Sequence, residues 1–227
     1  MGAFLAAYGD SLALWLPPLV RAARVTLIVA VLSIGVGAIT GLPLALLKLR
    51  GNRGLRRAAS FYIEVTRGTP ALAQLYITYF GLAGIGLTLD NVTAAVLALG
   101  LNAAAYMAEI YRAGIESIHP SQAAAARSLG LSHTQALRYV VIPQAIRRVI
   151  PPLLNDFIGL QKDTALVSFI GVIEVFRQAQ IDESATFNFT PYMVTAVLFL
   201  IITIPLARAT DWLVARERRR QLATMAR

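Results

Sequence analysis

Cysteine is absent from this 227-residue chain, histidine occurs twice, and lysine occurs only at Lys48 and Lys162. Without thiols there is no disulfide framework and no thiolate metal site, and two histidines cannot form a His-rich metal cluster. No Gly-x-x-x-x-Gly-Lys-Ser/Thr phosphate loop occurs. Nor does any Ser/His/Asp set or Gly-rich phosphate cradle fall on a plausible common face. The sequence therefore offers no catalytic apparatus and no cofactor site of its own. Charge is scarce as well: 15% of residues are charged, 57% are hydrophobic and the mean hydropathy is +0.63. Such a chain is too apolar to hide its side chains in a soluble core, so lipid must be part of its solvent. The net charge of +9 does not point to nucleic acid, because the basic residues cluster between long apolar runs and do not spread over a polar face.

A bilayer core needs about 20 apolar helical residues to cross it. Val25 to Leu47, Gly68 to Leu89 and Ser184 to Ala207 carry no Asp, Glu, Lys or Arg, and Asn91 to Ala108 is a slightly shorter run closed by Glu109. Basic clusters follow the first run (Lys48, Arg50, Arg53, Arg56, Arg57) and the last (Arg216, Arg218, Arg219, Arg220), so both ends belong in the cytoplasm. Four crossings cannot satisfy both, and parity demands a fifth. It falls on Val149 to about Ile173, where Asp156, Lys162 and Asp163 require a bundle interior, cavity or partner around the helix.

The expectation is an all-α integral membrane protein in a single domain, 1–227. It has five spans, at about 22–47, 62–84, 91–111, 149–173 and 186–208, a cytoplasmic loop 112–148 and a basic cytoplasmic tail 209–227. The N-terminus lies outside. Phe4, Leu5, Tyr8, Leu12, Trp15 and Leu16 recur at roughly helical spacing, which suggests an external amphipathic segment, 1–20, stopped by Pro17 and Pro18. With no basic leader, and with Asp10 interrupting it, this stretch does not resemble a cleavable signal. Neither outer connection is long enough for a ligand-capturing domain, so capture of solute falls to another protein.

The inner loop carries the most information. From Pro120 to Pro143, Ser121 is placed to cap an Ala-rich helix, Gly130 to close it in a left-handed conformation, and Ser132 with Gln135 to form a capping box for a second helix limited by Pro143. Leu129, Leu131, Leu137 and Val140 gather near the junction. The result is a compact cytoplasmic knob, suited to docking a partner or to packing on its own chain.

This stretch resembles the EAA loop of permease subunits of ATP-binding-cassette (ABC) importers. Ala125, Ala126, Gly130 and Pro143 fit that pattern, Leu131 follows its glycine, and Val140 and Ile142 stand in at its ending. Ala124 occupies the Glu position, so any polar contact of that Glu is absent or replaced. Arg67-Gly68-Thr69-Pro70, Asn102 to Gly114, Pro143-Gln144-Ala145 and Lys162 to Ser168 resemble the amino-acid branch of these permeases, of the histidine, glutamine or arginine kind. The resemblance implies a bacterial inner-membrane half-pore for polar amino acids. It also implies a second permease chain, ATPase subunits that hold ATP and Mg, an external substrate-binding protein, and no nucleic acid.

Polar groups within the spans are the candidates for the substrate pathway. Asn102 can bond substrate or a neighbouring helix. Glu109 can meet a substrate ammonium or pair with Arg112 one turn away. Lys162 and Asp163 are adjacent and point different ways, while Thr164 and Ser168 share a face. A secondary transporter or channel for small polar solutes is the rival reading, but it leaves the capped knob unexplained, and no inverted repeat is evident.

Overall fold

The computed structural model describes the backbone of residues 2–225 and the side chains of residues 14–217 and 219. The described chain is all-α. In order come α1 (Gly2–Arg50), α2 (Arg53–Gly68), and α3 (Ala71–Tyr76), which passes through a π turn (Ile77–Gly81) into α4 (Leu82–Gly84). Then follow α5 (Asn91–Glu116), α6 (Pro120–Ser128), and α7 (His133–Ala136), which passes through a second π turn (Leu137–Val141) into α8 (Ile142–Asp163). A 3₁₀ segment (Thr164–Ile170), α9 (Val175–Thr186) and α10 (Thr190–Met225) complete it.

Within these elements, Leu14–Arg50, Asn91–Glu116 and Thr190–Glu217 are each long and apolar enough to cross a bilayer. His133–Ile170 with Val175–Thr186, bent by 54°, makes a fourth if the pair is one crossing. Outward-facing Ile28, Val31, Leu32 and Ile39 on α1, and Val197, Leu200, Ile201 and Ile204 on α10, form the surface such a protein offers to lipid.

The bundle is organised around α5, whose inner face is almost entirely small: Ala94, Ala95, Ala98, Ala103, Ala104, Ala105 and Ala108 are buried. Small side chains let backbones approach, which is how helices associate when lipid removes the hydrophobic drive between them. Gly37 and Gly41 of α1 meet α5 so closely that a Cβ on Gly37 would lie 2.9 Å from the Ala103 Cβ, and one on Gly41 would lie 2.9 Å from the Ala104 carbonyl. Gly100 reciprocates, with 2.7 Å to the Val36 Cβ. This Gly37-x-x-x-Gly41 seam is absent from the expectations above.

Four differences from the expected elements have local causes. The helix does not stop at Pro17-Pro18; it runs on to Arg50, because Trp15 on one side and Leu19 and Ala22 on the other are buried against Val175, Ala179 and Val194. Tertiary packing there outweighs the missing N–H groups. Phe4, Leu5, Tyr8 and Leu12 lie outside the described side chains. The stretch 62–84 is not one uninterrupted helix, since Thr69 before Pro70 is extended (φ −117°, ψ 146°), as a residue preceding proline prefers.

In the loop, His119 and not Ser121 caps α6, its Nδ1 accepting the Ser121 N–H at 3.2 Å. Pro143 does not limit the second helix. The π turn before it lets the Ile142 N–H donate to the Leu137 carbonyl, shifting the register by one residue and carrying the helix into α8. The remaining loop features are present: Gly130 has φ +88°, and Ser132 and Gln135 make both bonds of the capping box, at 2.8 and 3.3 Å.

Candidate functional site

The sequence of α8 places Arg148, Pro152, Asp156, Gly159 and Asp163 at intervals of three or four residues, so they share one face. On α5 the same spacing aligns Asn102, Tyr106, Glu109, Ala113 and Ser117. These stripes face each other across two open clefts. One, of about 450 Å³, is walled by Arg67, Tyr106, Glu109, Ile110, Ala113, Gly114, Ser117, Arg148, Pro152 and Asp156. The other, of about 280 Å³, is walled by Thr69, Ala71, Asn102, Ala103, Tyr106, Asp156, Gly159, Leu160 and Asp163. Tyr106 and Asp156 line both, so the two clefts form one polar groove along the α5–α8 seam.

The charges differ along the groove. At the first cleft Glu109 is bridged, with the Lys48 Nζ 2.6 Å from one carboxylate oxygen and Arg112 bonding the other at 2.6 and 3.0 Å; Arg112 also reaches Glu116. Glu109 thereby ties the end of α1 to α5. Arg67 lies over the Tyr106 ring, 5.3 Å from its centroid, and Arg148 donates to the Ser117 carbonyl. The second cleft has two acids and no base in its wall. Asp156 there has a buried Oδ2 without a hydrogen-bond partner among the described residues.

Asn102 donates to the Gln74 Oε1 at 3.1 Å, and Gln74 is itself anchored to the Thr66 carbonyl at 2.7 Å and the Thr69 hydroxyl at 2.8 Å. The Asn102 amide therefore serves an interhelical bond while bordering the second cleft. Asp163 borders that cleft too. Lys162 is exposed away from both. Thr164 is fully buried and donates to the Gln161 carbonyl at 2.6 Å, and Ser168 donates to the Ala165 carbonyl at 2.7 Å, so neither hydroxyl faces the groove's walls. Sequence reasoning left Asp156, Tyr106 and Arg67 off the pathway; the three-or-four-residue spacing of Pro152, Asp156, Gly159 and Asp163 was the available signal. It also missed Glu174, which is fully buried and accepts from the Phe176 and Arg177 N–H groups at 2.8 and 2.6 Å, capping α9 at the bend.

Away from the groove, the knob presents a third hollow of about 670 Å³, bounded by Ala124, Arg127, Ser128, Gly130, Leu131, Ser132, His133 and Gln135. Ala125 is exposed beside it, Ala126 is buried beneath it, and Pro143 lies at the start of α8. Among the described residues no group of three His, Cys, Asp or Glu side chains could hold a metal ion.

Residues 33–219 match the family model of the binding-protein-dependent transport system inner membrane component. The chain belongs to that family. It is 40% identical over 205 residues to the glutamine transport system permease protein GlnP of Escherichia coli (strain K12), covering 87% of this chain and 93% of that one. It is 37% identical over 191 residues to the arginine transport system permease protein ArtQ of Bacillus subtilis (strain 168), covering 83% and 87%. The fold superposes with a TM-score of 0.84, at 40% identity, on the crystal structure of an amino acid ABC transporter with histidines, over 91% of this chain and 97% of that chain. It also matches the MetNI methionine ABC transporter at a TM-score of 0.67 and 20% identity, a likeness of fold alone. This permease is a multi-pass component of the bacterial inner membrane that forms part of an ABC importer's translocation pore, with ATP hydrolysed on separate subunits.

Proposed function

We propose that this permease forms half of a pore for polar amino acids and that the α5–α8 groove is its substrate path. The observation that carries the reading is the second cleft. Asp156, with its unpartnered oxygen, and Asp163 stand ready for an ammonium, while Asn102, Thr69 and the nearby Arg67 supply donors and acceptors for the rest of a zwitterion. A small cleft with a few convergent polar groups is what recognition of such a solute requires. Relatives that by name carry glutamine and arginine support the substrate class.

The path implies five crossings, the second made by α3 and α4 with the end of α2, and the fourth by α8 with the 3₁₀ segment. The N-terminus is then outside, and the tail and the loop 112–148 are cytoplasmic, in keeping with the positive-inside rule. Ala124, Gly130 and Leu131, which bound the third hollow, with Ala125, Ala126 and Pro143 adjoining, form the coupling surface for the ATPase. A rigid-body shift of the ATPases reaches the groove through the continuous helix from α7 into α8. Glu109 acts by fixing α5 to α1 at the groove's edge. Thr164 and Ser168 hold the bend after α8, and neither they nor the exposed Lys162 touch solute.

The test is uptake by the assembled importer in liposomes, with labelled glutamine, arginine and histidine and their uncharged analogues. ATP-dependent uptake of at least one polar amino acid, with a KM raised by Asp156→Asn, is the expected result. Uptake that is indifferent to Asp156 and Asp163 removes the groove from the pathway.

A further inference from the structure

The helix α2 has three faces where a soluble helix has two. One, with Ala59, Ile63 and Thr66, is buried against the bundle. A second, with Ala58, Phe61 and Val65 at spacings of three and four, is exposed, Phe61 by 70%. The third carries Arg53, Arg56 and Arg57, also exposed and also at helical spacing. The described ion pairs all involve Lys48 or Arg112, so among the described residues these three arginines have no acidic partner; Arg56 makes a 3.5 Å bond to the Gly51 carbonyl. Glu64 is the one acid between residues 53 and 68.

No single solvent satisfies both outer faces. Water leaves Phe61 and Val65 solvated at a cost, and hydrocarbon does the same to three guanidinium groups. A membrane–water boundary satisfies both, with the apolar flank among acyl chains and the basic flank among headgroups. An unopposed group of arginines at that boundary favours an anionic headgroup, because each basic residue near an anionic surface adds attraction. We propose that α2 enters the second crossing through the membrane–water boundary, where its Arg53, Arg56 and Arg57 bind anionic phospholipid of the cytoplasmic leaflet, anchoring the segment that leads into Thr69 and Pro70 at the groove. The proposal rests on the topology above for the leaflet, but the lipid contact itself needs neither substrate nor ATPase.

The absence of cysteine makes Ala58→Cys a unique attachment point for a nitroxide. The full chain carrying it would be placed in nanodiscs of phosphatidylcholine alone, or of phosphatidylcholine with phosphatidylglycerol at about three to one. Label depth would be read by collisional quenching, and retained lipid by mass spectrometry. Expected are a label at the headgroup–acyl boundary and enrichment of phosphatidylglycerol. The combined Arg53→Gln, Arg56→Gln and Arg57→Gln variant should lower that enrichment by about threefold or more, and the matching lysine variant should keep most of it. A label open to the aqueous quencher, or equal enrichment in wild type and glutamine variant, overturns the proposal. Because transport is not measured, a failed uptake experiment and a failed lipid experiment remain distinct results.

Discussion

Asp156 and Glu109 are both carboxylates on the groove, and their surroundings give them different work. Glu109 already has two cations, so Glu109→Gln should loosen α1 from α5, costing about 1–2 kcal/mol for partly buried charged hydrogen bonds, and should alter uptake while leaving ATPase docking intact. Thermal unfolding in detergent and co-purification of the ATPase check the two halves of that statement. Asp156 has an oxygen with nothing to bind, so Asp156→Asn should leave stability nearly unchanged and raise the KM for uptake by about 10- to 100-fold, the effect of losing one charged hydrogen bond. Asp90, outside the membrane-spanning segments, caps α5 by accepting from the Thr93 N–H at 3.0 Å, and bonds from Thr93 hold its carboxyl below the usual carboxylate range. The cap is therefore at full strength above the ordinary Asp pKa and is lost as pH falls through the depressed one. Faster amide exchange at the start of α5 in acid would report it. The polarity of Asn102, Glu109 and Asp163 was legible from the sequence because a polar side chain within or beside an apolar run is conspicuous. Their allegiances were not, since whether Asn102 bonds substrate or Gln74 depends on a residue 28 positions away.

At the scale of elements, hydropathy located α1 and α10 by apolar runs longer than a crossing needs, and α5 by a slightly shorter one. It misread proline. Pro17-Pro18 and Pro143 are strong local stop signals, yet Trp15 and Leu19 pack across the first and a π turn absorbs the second. Propensity lost to tertiary contact in one case and to a shift of hydrogen-bond register in the other. Glycine was underused as evidence. Gly37 and Gly41 sit in a seam with no room for a side chain, so Gly37→Leu or Gly41→Leu should destabilise the bundle by about 1–3 kcal/mol. Gly130 has open space around it but φ +88°; Gly130→Val there strains only the knob. Expected are normal membrane insertion and a large loss of transport-coupled ATPase activity; loss of insertion as well would refute the separation of knob from bundle.

For the whole molecule, the proposed five-crossing topology puts the last residues in the cytoplasm. Green fluorescent protein fused after Arg227 should fluoresce, and alkaline phosphatase fused there should be inactive; the reverse pattern returns the count to four. Parity from the basic clusters reached this topology from the sequence alone, whereas the groove, built from two helices with α6 and α7 between them, shows only in the fold. The α1–α5 seam also constrains how the pore can move. Two helices meshed glycine to alanine cannot slide without collision, so α1 and α5 behave as one beam, and whatever stroke the ATPases deliver must be spent elsewhere. The seam on the other side of α5 is hollow where the first is solid, and close where Gly114 admits Val149. Any tilt of α8 against that beam must turn on Val149, so Gly114→Leu, which leaves Val149 no room, should block transport more than it alters insertion.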